Sequence, residues 1–188
     1  MRIVGGRLRG RALAAPKSQR IRPTADRLRE ALFNILMHAY DNPIQGARVL
    51  DLFAGTGALG LEAVSRGAAF ALFVDEEAEA RALMRQNVEA LGVAAATRIF
   101  RRDATKLGAA HPVEPFSLVF LDPPYGKGLA EKALASARDG GWLTNEALIV
   151  VEESVEAAFK APESFEEVER RSYDDTEFTL LRARDASS

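Results

Sequence analysis

A chain of 188 residues with 47% hydrophobic content can bury a single core of ordinary domain size, and the absence of cysteine excludes disulfide frameworks, thiolate metal sites and thiol nucleophiles. Any chemistry must come from carboxylates, hydroxyls, backbone groups or a bound organic cofactor. The net charge of −2 conceals an asymmetry: residues 1–30 carry nine basic side chains against two acidic ones, a local +7, which leaves 16 basic and 25 acidic residues and −9 for the remainder.

The first elements in the chain are short and Gly-punctuated. Ile3–Gly6 and Leu8–Leu13 interleave arginines with apolar residues and suggest a small hairpin. A basic arm on an acidic body predicts a polyanionic partner, with Arg2, Arg7, Arg9, Arg11, Lys17, Arg20, Arg22 and Arg27 making the phosphate contacts. On this reading residues 1–23 form an RNA-facing extension of the domain at 24–188, and removing residues 1–20 is expected to leave that domain folded. The opening residues contain no signal-peptide core and no apolar run reaches the length of about 18 residues that crosses a bilayer, so a cytoplasmic protein without membrane contact is expected. A monomer is expected as well.

After Pro23, Thr24 reads as an N-cap, and Leu28, Ala31, Leu32, Ile35, Leu36 and Ala39 follow at helical spacing. Asp41–Gly46 is a turn cluster. From Arg48 the pattern becomes strand, Gly-rich turn, helix, repeated: strands at Arg48–Phe53, Ala69–Val74, Thr97–Phe100, Ser117–Leu121 and Ala147–Val151, and helices at Ala58–Arg66, Glu76–Leu91, near Ala104 and at Leu129–Arg138. Such alternation predicts an α/β fold, a doubly wound parallel sheet with helices on both faces. Glu166–Tyr173 and Glu177–Arg182 are close enough to pair as an antiparallel hairpin on its edge.

Two motifs fall at strand ends. The first, Asp51-Leu52-Phe53-Ala54-Gly55-Thr56-Gly57-Ala58-Leu59-Gly60, satisfies G-x-G-x-x-G, and Asp75 closes the second strand 20 residues after Gly55. This is the pattern of a nucleotide-type cofactor site, with the acid on ribose hydroxyls. NAD and S-adenosylmethionine both carry adenosine. Asp51 adds a carboxylate where the amino-acid end of S-adenosylmethionine would lie, and the length leaves little room for a nicotinamide enzyme's second domain. The expected cofactor contacts are Asp51, Phe53, Ala54, Gly55, Thr56 and Gly57, then Asp75 with Glu76, and Asp103 with Ala104. Asp103 could reach the adenine amino group or simply cap the helix at Ala104. At Gly57, a Val side chain is expected to block approach of the ligand.

The second motif, Asp122-Pro123-Pro124-Tyr125-Gly126, follows the apolar strand Ser117–Leu121 and faces the same crevice in a doubly wound sheet. Asp122 and the Pro123 carbonyl can accept the two hydrogens of an exocyclic amino group and hold its nitrogen in line with a methyl donor. Pro124 keeps Pro123 extended, and Tyr125 offers a flat face for an unstacked base. These four residues are the expected catalytic set. Their geometry suits guanine or adenine equally, so an adenine-N6 methyltransferase on DNA or RNA stays open. A non-catalytic RNA-binding module and an NAD-dependent oxidoreductase are further alternatives. His38 and His111 are separated, and no metal site is expected.

Arg22-Pro23-Thr24-Ala25-Asp26-Arg27-Leu28-Arg29-Glu30-Ala31-Leu32-Phe33-Asn34-Ile35-Leu36, Asp51 to Gly60 and Asp122 to Tyr125 together resemble the RsmD family of 16S ribosomal RNA guanine-N2 methyltransferases acting at the site numbered 966. The resemblance implies a seven-stranded Rossmann-like fold, S-adenosylmethionine as donor and the small ribosomal subunit or its precursor as substrate. It implies that Asp122, Pro123 and Tyr125 form the acceptor site. It also leads one to expect a glycine after Tyr173, where this chain has Asp174.

Overall fold

The structure is a computed structural model and describes residues 1–17 and 23–184. Its sheet is built from β1 (Arg48–Leu52), β2 (Phe70–Val74), β3 (Thr97–Phe100), β4 (Phe116–Leu121), β5 (Leu143–Ser154), β6 (Phe165–Tyr173) and β7 (Thr176–Ala183), in the spatial order β3-β2-β1-β4-β5-β7-β6. The five strands from β3 to β5 are parallel, and β7 and β6 are antiparallel additions. The chain winds one way from β1 through β2 to β3 and then returns to β4 on the other side of β1. The carboxyl ends of β1 and β4 therefore border the crevice where doubly wound sheets bind their ligands. The C-terminal hairpin forms as expected, with β7 inserted beside β5 and only β6 at the edge.

Among the described residues four α-helices cover this sheet: α1 (Pro23–Ala39), α2 (Ala58–Ser65), α3 (Ala78–Leu91) and α4 (Leu129–Asp139). Strand alternation divides the interior into two cores. Val49, Ala71, Phe73, Leu118, Phe120, Leu148 and Val150 point to one face, where they pack with Leu32, Phe33 and Leu36 of α1 and Leu61 of α2. Leu50, Leu52, Leu72, Val74, Val119, Leu121, Ile149 and Val151 point to the other, against Ala130, Ala133 and Leu134 of α4 and the fully buried Trp142.

Several boundaries differ from expectation for physical reasons. Helix α1 begins at Pro23, so Thr24 lies in the first turn and is not the cap. Proline suits a first helical position because its fixed φ is already helical and its missing N–H would have had no partner. Phe53 leaves β1 for a left-handed conformation, φ 56°, and α3 starts only at Ala78 because Glu77 is extended. The helical pattern near Ala104 amounts to one 3₁₀ turn, Ala104–Lys106. Strand β5 runs well beyond Ala147–Val151 because β7 pairs with it as far as Ser154↔Thr176, carrying the polar residues Glu152 and Glu153 into the strand. Asp174 adopts φ 55°, the left-handed turn conformation for which a glycine was expected, and aspartate is among the residues that tolerate it.

The N-terminal segment is not a separable extension. The expected hairpin forms over a short stretch, with Arg2↔Ala12 paired antiparallel and the amides of Ile3 and Leu13 bonded to the carbonyls of Arg11 and Met1, both at 2.9 Å. Ile3, Leu8 and Leu13 are buried in the same core as α1 and the sheet. The fully buried Glu62 of α2 accepts from the amides of Val4 and Gly5, both at 2.9 Å, and forms ion pairs with Arg29 at 3.1 Å and Arg66 at 2.9 Å. Arg29 also donates to the Arg2 carbonyl. The Leu8 amide donates to Ser65 Oγ at 3.0 Å, and the Ala14 amide to Asn87 Oδ1 at 2.6 Å. Removing residues 1–20 would thus strip core side chains and leave buried polar groups unpaired, contrary to the expectation that the remainder stays folded.

Candidate functional site

The glycine loop is braced by two carboxylates. Asp51, pointing to the α1 face at the end of β1, is fully buried and accepts from the Gly60 amide at 3.0 Å through Oδ2. Its Oδ1 has no hydrogen-bond partner. Burial pushes the Asp51 carboxyl up to about 8, against the pull of the Gly60 amide and with a smaller contribution from the charge of Asp75. Asp75 accepts from the Gly55 amide at 2.9 Å through one oxygen and from the Glu77 amide at 2.9 Å through the other. It ties the loop after β1 to the end of β2.

The glycines have distinct reasons. A Cβ on Gly60 would lie 2.4 Å from the Phe73 ring, so this residue permits the helix to close on the sheet. Gly57 has φ 81°, and a Cβ there would meet Met84 and Phe73 at 3.3 Å. Substituting valine at Gly57 would therefore strain the backbone and crowd the protein's own core, which corrects the expectation of a direct block on the ligand. The open side of the loop is at Gly55, where a Cβ would meet nothing within 4 Å.

Asp103 caps the 3₁₀ turn, accepting from the Thr105 amide at 2.8 Å and its hydroxyl at 2.7 Å, and these bonds hold its carboxyl below the ordinary range. Its capping role is realised. Ala104 is buried, and Glu76 is exposed. Phe53 and Ala54 sit in the turn between Asp51 and Gly55, with Ala54 N–H bonded to the Val74 carbonyl at 3.1 Å. Thr56 offers its carbonyl to Asn87 Nδ2 at 2.9 Å, and the same Asn87 amide reaches the Ala14 carbonyl at 3.1 Å. One side chain thus joins the glycine loop to the basic N-terminal segment.

Asp122 begins the second motif beside this loop. Strand pairing runs Leu52↔Leu121 and Leu121↔Val151, so Asp122 lies between the end of β1 and Glu152 of β5. By alternation, Asp51, Asp122 and Glu152 all belong to the face shared with α1. Asp122 keeps a solvent-accessible surface yet is hemmed in by protein atoms, as a group on the floor of an open crevice is. That crowding, followed by repulsion from Glu152 and Asp51, holds its carboxyl well above the ordinary range. Burial raises Glu152 as well, against the pull of its hydrogen bonds with Tyr125 and Asp122.

The rest of the motif is held from below. Pro123 is buried and Pro124 exposed. Tyr125 is 45% exposed, and its hydroxyl donates to Glu152 Oε1 at 3.2 Å. Desolvation and the charge of Glu152 push that phenol up. The Gly126 amide donates to Glu153 Oε1 at 3.2 Å, and Glu153 is itself buried. Sequence reasoning missed both glutamates. A signal was present: two acids directly after the apolar run Ala147–Val151, at the carboxyl end of a parallel strand.

Of the expected RNA contacts, Arg7, Arg9, Lys17 and Arg27 are exposed and have no side-chain partner among the described residues. Arg2 spends a donor on the Gly10 carbonyl at 2.7 Å, and Arg11 one on the Ala90 carbonyl at 2.6 Å. Arg20 and Arg22 lie outside the described residues. Among the described residues no group of acidic or histidine side chains could hold a metal ion, and no helix is long and apolar enough to cross a membrane. Cavities of about 470 and 250 Å³ lie elsewhere, one beside the end of α3 and one around Arg48 and Phe70, and neither touches the two motifs.

Comparison with known proteins agrees with this architecture. The family model described as conserved hypothetical protein 95 matches residues 1–182. Ribosomal RNA small subunit methyltransferase D of Escherichia coli K12 is 44% identical over 158 residues, 83% of this chain and 76% of the relative. The chain belongs to the RsmD family. The enzyme of the same name from Haemophilus influenzae is 35% identical over 167 residues, 88% of this chain and 84% of the relative. Among solved structures, yhhF from Escherichia coli, whose methyltransferase assignment is itself provisional, superposes with a TM-score of 0.81 at 35% identity over 98% of both chains. The seven-stranded Rossmann-like sheet of this RsmD-family chain is the methyltransferase fold.

Proposed function

We propose that this protein transfers a methyl group from S-adenosylmethionine to the exocyclic N2 of a guanine in 16S ribosomal RNA, at the position numbered 966, acting as a monomer on the small subunit or its precursor in the cytoplasm. The observation that carries the reading is the meeting of the Asp51–Gly60 loop and the Asp122–Tyr125 motif at the carboxyl ends of adjacent strands, in a chain whose relatives bear the name of a small-subunit RNA methyltransferase.

The residues present fit the methyl donor. Asp51 holds a buried carboxylate oxygen without a partner, which an ammonium group would satisfy, and Gly55 leaves its face of the loop open. Asp75 at the end of β2 is placed for ribose hydroxyls. Phe53, Ala54, Thr56 and Gly57 shape the turn around these groups, and Glu76, Asp103 and Ala104 lie on the adenine side. When bound, S-adenosylmethionine supplies an electrophilic methyl group on a cationic sulfur.

The chain's own groups do the remaining work. Asp122 and the Pro123 carbonyl accept hydrogen bonds from the amino group and orient its lone pair. Asp122, already held at an elevated pKa, is suited to take the proton that the nitrogen loses. Tyr125 stacks the base. Arg7, Arg9, Lys17 and Arg27, with Arg2 and Arg11 by their remaining donors and with Arg20 and Arg22, bind phosphates and carry no sequence information. Few large apolar side chains are exposed, Tyr125, Val155 and Val168 among the described residues, which supports a monomer.

Incubation of small ribosomal subunits with labelled S-adenosylmethionine, followed by mapping of the modified nucleotide, tests the reading. Label at guanine N2 is expected. Label on adenine N6, or none on any purine, overturns it.

A further inference from the structure

Glu152 is the acidic residue at the site that the reaction as described leaves without a task. It stands one step beyond the Leu121↔Val151 pair, directly beside Asp122, on the same face of the sheet. Neighbouring strands are about 4.8 Å apart, so the two carboxylates present oxygens a few ångströms from one another. Its Oε1 accepts from the Tyr125 hydroxyl at 3.2 Å, which fixes the carboxylate relative to the ring on which the base would stack. An ionised carboxylate offers about four acceptor positions, so the tyrosine bond leaves room for another donor.

Purines differ in what they present next to the amino group. Guanine has N1–H beside N2–H₂, two adjacent donors. Adenine has the N1 lone pair beside N6–H₂, a donor next to an acceptor. An unstacked base is read by hydrogen bonds to this edge. Two neighbouring carboxylates that repel one another are complementary to two adjacent donors, and an unprotonated acceptor nitrogen facing Glu152 would add to the repulsion.

We propose that Glu152 is a specificity-determining residue of this site, accepting the ring N1–H of guanine while Asp122 and the Pro123 carbonyl hold the amino group. The inference rests on the proposed function and adds the group that chooses the purine. Burial raises both carboxyls in the free protein, and the charge of Glu152 raises Asp122 further, which favours a ligand that brings two N–H donors. Glu153 has a different duty. It is buried on the opposite face and holds the Gly126 amide, so it positions the loop and does not meet the base.

2-Aminopurine keeps the amino group of guanine and replaces N1–H by a lone pair, so it isolates the contact. Small-subunit particles reconstituted with RNA carrying either guanine or 2-aminopurine at the mapped nucleotide would be compared in single-turnover methyl transfer. 2-Aminopurine fluorescence would report binding and unstacking independently of activity. The parent protein is expected to prefer guanine by about 10- to 100-fold, the range of a good base contact. Glu152→Gln can donate its amide to the lone pair and still accept from Tyr125, so the guanine to 2-aminopurine ratio should fall at least tenfold, with tighter binding of the 2-aminopurine particle.

Tyr125→Phe breaks the tether without removing the carboxylate and should leave the ratio close to that of the parent. Equal losses on both bases in Glu152→Gln would overturn the inference and make Glu152 a support for Tyr125 only. If Glu152→Gln does not fold, as judged by S-adenosylhomocysteine binding, Glu152→Asp takes its place: a shortened carboxylate should weaken the preference for guanine, and an unchanged ratio overturns the inference. A parent protein that modifies neither particle is a failure of the proposed function and is distinguished by that result.

Discussion

Asp51→Asn perturbs a carboxylate whose folded and unfolded environments differ sharply. An ordinary aspartate titrates near 3.8, and burial raises Asp51 to about 8. Each unit of pKa corresponds to about 1.4 kcal/mol, so ionising Asp51 in the ligand-free protein costs at most about 6 kcal/mol. Because the folded pKa is the higher one, its stabilising contribution is complete below about pH 4 and is lost as the pH rises through about 8. Asparagine retains an oxygen for the Gly60 amide but leaves an NH₂ where Oδ1 is already without a partner, a penalty of about 1–3 kcal/mol. The variant should therefore be less stable than the parent below about pH 4 and more stable at pH 9. Urea unfolding of both proteins across this range reads the change at Asp51 together with a smaller one at Asp122, whose carboxyl loses the Asp51 repulsion in the variant. The variant should also bind S-adenosylhomocysteine at least about tenfold more weakly, because the ammonium loses a charged hydrogen-bond acceptor. Parallel stability curves for parent and variant would refute the account of this carboxylate.

Asp122→Ala should lower single-turnover methyl transfer by about a hundredfold or more while leaving S-adenosylhomocysteine affinity nearly unchanged, and Asp122→Asn should be milder because its amide oxygen still accepts. Glu62→Ala should destabilise the protein by about 3–5 kcal/mol in chemical unfolding, since it leaves buried Arg29 with Asp26 alone, takes the carboxylate from Arg66 and frees the amides of Val4 and Gly5. A loss under about 1 kcal/mol would show that the N-terminal segment is held by its apolar contacts alone. Arg7→Gln with Arg9→Gln should weaken binding to the ribosomal substrate and flatten the slope of log affinity against log salt by about 0.7–0.9 per lost phosphate contact. An unchanged slope would move the RNA-facing surface away from these two residues.

The sequence by itself determined the elements and motifs whose signals are local. A strand, a glycine-rich turn and a helix are encoded within the stretch from Arg48 to Ser65, and Asp122-Pro123-Pro124-Tyr125 is contiguous, so both motifs and the doubly wound order were legible from spacing alone. The conformation at Asp174 was not legible, because aspartate does not by itself mark a left-handed position and the glycine was expected only from the family resemblance. Only the tertiary structure could decide what partners across the sheet do. Glu152 and Glu153 belong to the site because β4 and β5 are neighbours in register and because β7 extends β5 past its apolar run; neither fact is encoded near residue 152. The N-terminal segment shows the same limit. Its formal +7 suggested a removable arm free to meet RNA, but Arg29 is neutralised by Glu62, 33 residues further along the chain, and Ile3 and Leu8 pack into the common core. Charge counted along a sequence assumes that each group meets water, and burial replaces that water with a partner that only the fold selects.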